Sequence, residues 1–201
     1  MTTSASNVLG RRERNKQQKL ERITAAAAEL FAEHGIDDVT TQQIAERADV
    51  GTGTLFLYAK TKGELLLLVQ NAHYAVALEK GVAAAEATPD IAEAILALLR
   101  PIIECNRVQV ENGRTYLREM LFADTSDPHH AEALRIVGET ETAVARILQR
   151  DEKTGVERAT ALARIVSSIM FLTLTPSTNV ELSVDELVEE VGAQLGNLLG
   201  G

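Results

Sequence analysis

Apolar residues recur along this chain at intervals of three and four, the spacing of one face of an α-helix. The first such run is Leu20, Ile23, Ala27, Leu30, Phe31 and His34, and it stops at Gly35, a suitable left-handed cap. Thr41 is predicted to cap a short helix from Gln42 to Ala48, with Ile44, Ala45 and Ala48 inward. Asp49, Val50 and Gly51 break that pattern, and a second short helix is expected from Thr52 to Tyr58. Thr61 can cap a long helix from Gly63 to about Ala87. Beyond Pro89, the segment Ile91 to Gln109 is apolar on most sides, which marks a buried helix. Pro101 inside it is expected to kink or divide it and to help open a cavity. Glu111, Asn112 and Gly113 are read as a turn, Arg114 to Phe122 as a short helix, and Asp124 to Pro128 as a loop. Helices are expected again from His129 to Arg150, from Glu157 to Leu174 before Pro176, and from a Ser183 cap to the end. No alternating strand pattern or internal repeat appears. The expected fold class is all-α, with about nine helices, three of them in the first sixty residues.

Composition agrees with that pattern. Alanine and leucine dominate the apolar residues, aromatics are 3% and tryptophan is absent, which favours helices over strands. The single cysteine, Cys105, excludes an internal disulfide and a cysteine-rich metal site. The first residues lack the apolar core of a signal peptide, and no run approaches the roughly 18 apolar residues of a membrane span. A cytoplasmic protein without membrane association is expected. The net charge of −9 is unevenly spread. Residues 11–22 hold six basic side chains (Arg11, Arg12, Arg14, Lys16, Lys19, Arg22) against Glu13 and Glu21. A basic N-terminus on an acidic body fits local contact with a polyanion, and it equally fits a solubilising tail. Residues 1–15 are read as a disordered basic arm.

Two short helices joined by a tight turn and braced by a longer one can place a helix in the major groove of DNA. The second short helix opens on Gly51, Thr52, Gly53 and Thr54. Glycines there allow close backbone approach, free N–H groups at a helix start favour phosphate, and threonine offers a hydroxyl and a methyl group. Leu55 is expected to anchor the core and Leu57 to lie outside. Residues 23–69 follow the pattern I-x3-A-x2-L-F-x3-G-x3-V-T-x3-I-A-x2-A-x-V-G-x-G-T-L-F-x-Y-x3-K-x-E-L-L-L-x-V. That pattern resembles the DNA-binding domain of TetR-family repressors. The resemblance implies an all-α dimer whose subunits each carry a three-helix DNA-binding domain, a variable helical ligand domain and a fourth helix linking the two. Residues 16–62 and 63–201 take those parts, with 63–87 as the link. The resemblance also implies DNA contacts at Thr41, Thr52, Thr54, Tyr58 and Lys62. With Gln42, Gly53 and the exposed Leu57, these make up the expected DNA-facing set. Phe56 stands where the family commonly has tyrosine, and Ala59 where it has phenylalanine; the first change removes a hydroxyl for phosphate, the second packing bulk.

Other signals are weaker. Gly51-Thr52-Gly53 has no preceding strand and no third glycine, so a phosphate-loop reading fails. His129 and His130 near Asp124 and Asp127 are read as a solvated helix start rather than a metal site. No nucleophile and base pair stands out, so neither an enzyme nor a cofactor is expected. Tyr116, Met120, Phe122, Met170, Phe171 and Cys105 are large or adaptable side chains, and Arg100, Asn106 and Thr173 are polar groups on the same segments. These nine are the candidate lining of a pocket for a small, largely apolar effector; the alternative is that they only fill the core. Ile165 and Ile169, with Val184, Leu187, Val188, Val191, Leu195 and Leu198 of the last helix, are the expected seam of a homodimer. The leading function is a repressor that binds a palindromic operator as a homodimer and is released by the effector. An activator or corepressor-dependent regulator, or a small-molecule-binding dimer without DNA function, remains the alternative.

Overall fold

A computed structural model describes residues 10–122 and 127–200. Among them are nine α-helices, one 3-10 turn at Ser177–Asn179 and no strand. The helices are α1 (Arg11–His34), α2 (Thr41–Arg47), α3 (Thr52–Leu55), α4 (Lys62–Glu86), α5 (Ile91–Arg107), α6 (Val110–Phe122), α7 (Pro128–Leu148), α8 (Val156–Leu174) and α9 (Val184–Leu199). Residues 1–9 of the expected arm and residues 124–126 of the expected loop lie outside the described residues. No helix among the described residues is long and apolar enough to cross a membrane.

Helices α1 to α3 enclose a small core of Ile23, Ala27, Phe31, Ile44, Ala45 and Leu55, all at most 1% exposed. Helix α1 starts at Arg11, so residues 11–15 are helical rather than part of a disordered arm. Apolar periodicity begins only at Leu20, but the preceding arginines, lysines and glutamines are strong helix formers and extend the helix as an exposed polar turn. The cap of α2 is Thr40, one residue before the expected Thr41. The Gln43 N–H donates to the Thr40 hydroxyl oxygen (3.2 Å), and the Thr40 N–H donates to Gln43 Oε1 (2.7 Å). This reciprocal box needs a glutamine or glutamate three residues after the cap, which Thr40 has and Thr41 lacks. Between α2 and α3, Asp49 adopts φ 52°, and its carboxylate meets Arg22 of α1 at 3.2 Å. The second short helix is one turn long, and residues 56–58 continue as a turn.

The larger part is built around α4 and α5, which lie against each other. A methyl group on Gly81 of α4 would overlap the backbone carbonyl of Leu98 on α5, so glycine permits the close crossing. Helix α5 is not divided at Pro101. The predicted turn at Glu111–Gly113 lies inside α6 instead. Gly113 is needed there for packing, because a Cβ would overlap the Asn106 carbonyl. Its neighbour Asn112 is buried and fastens the two parts of the chain together. Asn112 Nδ2 donates to the Phe31 carbonyl at 2.8 Å, and its Oδ1 accepts from the Ile36 N–H at 2.7 Å. Helix α9 lies against α5 and α8.

Candidate nucleic-acid interface and ligand cavity

The recognition segment, α3 and the turn after it, has a buried side and an open one. Leu55 is 0% exposed, whereas Leu57 is 83% exposed. Thr52 and Gly53 are exposed and Thr54 is half-buried. A Cβ added to Gly51 or Gly53 would meet nothing within 4 Å, so nothing inside the subunit requires glycine at either position. Gln42 is exposed on α2 and donates to Glu46 at 2.9 Å, while Thr41 is half-buried. Lys62 begins α4, and its ammonium donates to the Asp37 carbonyl at 3.2 Å. The Tyr58 hydroxyl donates to the Lys16 carbonyl at 3.1 Å, which pins the end of the recognition segment to α1. The expected DNA-facing residues thus share one end of the molecule, with Tyr58 and Lys62 also making contacts within the subunit. Arg11, Arg12, Arg14, Lys16 and Lys19 are exposed on the helical turns leading to that contact.

A cavity of about 380 Å3 lies between α4, α5, α6, α7 and α8. Its wall includes Tyr74, Leu99, Ile102, Tyr116, Leu117, Met120, Ile136, Val144, Met170 and Phe171, with Thr140, Glu141, Arg164, Ser167 and Ser168 as the polar minority. The Tyr74 and Tyr116 rings stack with centroids 4.3 Å apart. Burial raises the pKa of both phenols above the usual tyrosine value, so both stay protonated at neutral pH. Four of the nine expected lining residues therefore meet at this cavity: Tyr116, Met120, Met170 and Phe171. The other five do not. Arg100 lies outside and pairs with Asp185 at 2.7 Å. Phe122 is 79% exposed. Asn106 is buried and donates to the Tyr74 hydroxyl oxygen at 2.9 Å, behind the wall. Thr173 is buried away from the cavity. Cys105 and Pro101 line a separate groove between α1, α4 and α5, so Pro101 does not help to form the apolar cavity. Burial pushes the Cys105 thiol up to about 11, which keeps it protonated.

The expected dimer seam divides in two. Leu187, Val191 and Leu195 are 0% exposed and Val188 is 9% exposed, so these four belong to the subunit's own core, where α9 lies on α5 and α8. Val184, Leu198 and Ile169 are half-buried, and Ile165 is 43% exposed. A run of open apolar positions lies instead along α8, through Ala161, Ile165 and the 66% exposed Leu172. Helix periodicity shows that α9 has one apolar face; whether α5 or a second subunit covers that face is outside its reach.

Four buried or half-buried polar residues were missed or misplaced by the sequence reading. Asn71 sits on a helical face that looks ordinary in sequence, and Asn112 was hidden by the expected turn that α6 replaces. His129 and His130 are not a solvated helix start: His130 is 2% exposed, and the His129 ring lies 3.0 Å from the Tyr58 carbonyl oxygen. Asp127 caps α7 by accepting from the N–H groups of His129 (3.2 Å) and His130 (3.1 Å), and this turns the two rings inward. The Asp-Pro-His-His run signals the cap, but no local signal shows what the rings pack against.

Residues 23–69 match the model of the bacterial regulatory proteins of the tetR family. The whole fold is similar to that of FadR from Thermus thermophilus, described as a TetR-family transcriptional repressor in complex with lauroyl-CoA. That likeness has a TM-score of 0.71 and 25% identity over 90% of this chain and 93% of the other. Residues 23–69 thus carry the N-terminal signature of the tetR family, and the fold around them is TetR-like. Two further solved structures share this fold. The fatty acid degradation regulator FadR from Bacillus halodurans has a TM-score of 0.64 and 18% identity, over 90% of this chain and 96% of that one. RolR in complex with resorcinol has a TM-score of 0.66 and 20% identity, over 93% and 90%. No curated protein matches the sequence. Within this TetR-like fold the recognition segment lies just before the start of α4 and the apolar cavity meets α4 at Tyr74, near its middle.

Proposed function

We propose that this regulator is a repressor that binds a palindromic operator as a homodimer and leaves it when an acyl-bearing effector fills the cavity. Residues 16–62 would contact DNA, residues 63–201 would hold effector and partner, and α4 would link them. The observation that carries this reading is the cavity itself: walled by five helices, about 380 Å3, and mostly apolar. It falls within the roughly 300–1,000 Å3 range of ligand sites, whose few polar groups fix orientation. The lauroyl-CoA complex of the Thermus thermophilus FadR supports an acyl chain as the apolar part. Arg164, Ser167 and Ser168 offer an anionic or polar head group a partner at the rim.

For the homodimer, the support is the open stripe of α8 (Ala161, Ile165, Leu172) beside that of α9, where Ala193 and Gly196 are small and exposed. Exposed Arg158 and Arg164 on α8 face the charge sign of Glu186, Glu189 and Glu190 on α9. Two copies related by a twofold axis can pair these stripes as a four-helix interface. A twofold dimer presents two recognition helices, and half-sites about one DNA turn apart, or a small multiple, are expected. The basic start of α1 adds phosphate contacts and steepens the salt dependence.

The test is selection of duplexes from a random pool, followed by titration of the bound complex with lauroyl-CoA. An enriched palindrome released by the thioester supports the reading. Enrichment without release removes the acyl effector, and tighter binding with thioester makes it a corepressor. Thioester binding with no enriched sequence leaves a small-molecule-binding dimer without DNA function. Within the recognition segment, Leu57→Ala is expected to leave the melting temperature unchanged. It should change base preference by about 1–3 kcal/mol if the side chain holds a thymine methyl. Leu55→Ala should instead cost about 2–5 kcal/mol of stability. Melting curves set beside operator titrations check the pair, and the reverse outcome would shift the DNA-facing register by a residue.

A further inference from the structure

A line of hydrogen bonds runs from the cavity wall to the recognition segment. It begins at Tyr116 of α6, whose hydroxyl donates to Asn71 Oδ1 on α4 at 2.9 Å. Asn71 is 6% exposed, and its Nδ2 donates to the His129 carbonyl on α7 at 2.9 Å. The His129 ring then reaches the Tyr58 carbonyl oxygen, Nε2 to O 3.0 Å, just past the end of α3. Each link has a fixed direction. A carbonyl only accepts, so His129 carries its proton on Nε2, and Asn71 must turn its amide nitrogen to the other carbonyl. Its amide oxygen is then left for a donor, and burial keeps the Tyr116 phenol protonated to be that donor. Asn71 cannot flip without setting its amide oxygen against the His129 carbonyl and losing that bond. The line ends where the Tyr58 hydroxyl donates to α1, so both the carbonyl and the hydroxyl of that residue are engaged.

We propose that Tyr116, Asn71 and His129 form a relay through which the cavity sets the position of the recognition segment. Tyr116 is its cavity end, Asn71 its buried joint, and His129 the positioning residue that holds the Tyr58 carbonyl. An occupant that engages the Tyr116 hydroxyl or turns its ring removes the donor from Asn71. The amide is then released from its one fixed orientation, and α7 with His129 is freed to move from Tyr58. This rests on reading the cavity as the effector site, and it identifies the residues through which that site acts.

The test is amide hydrogen exchange on the free protein, read over residues 52–60, with the amides of α5 as internal reference. Tyr116→Phe keeps the stacked ring and removes only the donor. It is expected to raise exchange over 52–60 about fivefold, the size of one lost buried hydrogen bond, and to leave α5 protected. His129→Phe should do the same, and His129→Gln, whose amide nitrogen can still reach the Tyr58 carbonyl, should restore protection. The double variant Tyr116→Phe with His129→Phe should exchange no faster than either alone, because both break one series; independent sites would add. Saturating lauroyl-CoA should raise exchange over 52–60 in the wild type and add nothing in Tyr116→Phe. Unchanged exchange in Tyr116→Phe, additive effects in the double variant, or bound thioester that leaves 52–60 protected would each overturn the relay. If His129→Phe loses protection throughout, Tyr116→Phe against wild type decides the matter. The variant comparison uses neither DNA nor effector, so it fails or succeeds separately from the operator selection and from thioester binding.

Discussion

Gly81→Ala is expected to lower the free energy of unfolding by about 3 kcal/mol, the upper part of the usual range for overpacking a tight core. The expected sign opposes intrinsic preference. Gly81 lies within the 25-residue helix α4, before its last turn, where alanine is favoured over glycine by roughly 1 kcal/mol. The added methyl group would overlap the Leu98 carbonyl, and a backbone atom cannot swing aside as a long side chain can. Helices α4 and α5 would have to separate, along with the packing of Ile95, Leu98 and Leu99, each at most 1% exposed. Denaturant unfolding at equilibrium measures the change. A variant as stable as the wild type would mean that the two helices cross less closely than described here.

The second large effect concerns assembly. Ile165→Glu combined with Leu172→Glu is expected to yield a folded monomer with operator affinity reduced about a hundredfold or more, because the second half-site no longer binds at high effective concentration. Both side chains are open in the isolated subunit, at 43% and 66% exposure, so two charges there leave its core intact, with Leu172 also bordering the cavity. In the proposed dimer the same charges would be buried without partners, which is costly. Leu187→Glu and Val191→Glu serve as the contrast. Both residues are 0% exposed within one subunit, so these variants should unfold rather than dissociate. Sedimentation with circular dichroism separates the two outcomes. A double variant on α8 that remains a dimer would move the interface to another face.

The helix inventory was legible from apolar spacing, because a helix with one buried side must repeat its apolar residues every three to four positions. The Leu55 and Leu57 contrast followed from the same geometry, since positions two apart point to different sides of a helix. Boundaries were less legible where propensity or a cap decided them: Arg11 opens α1 through polar helix formers, and Thr40 rather than Thr41 has a glutamine three residues on. The cavity was legible only in part. Tyr116, Met120, Met170 and Phe171 reach it, but Arg100, Cys105 and Phe122 occupy other faces of the same helices, because a helix apolar on most sides does not reveal which neighbour each side meets.

The sequence by itself therefore determined an all-helical chain, a helix-turn-helix with an exposed Leu57, and a family resemblance resting on residues 23–69. Tertiary structure decided which apolar faces remain open, turning the buried face of α9 toward α5 and α8 and leaving the stripe on α8 exposed. It also decided the sign of the Gly81 substitution and the course of the line from Tyr116 to Tyr58. The physical reason is common to all three. Periodicity records how much of a helix is buried, whereas close backbone approach and hydrogen-bond partners 45 and 58 residues apart arise only when particular helices are set against one another.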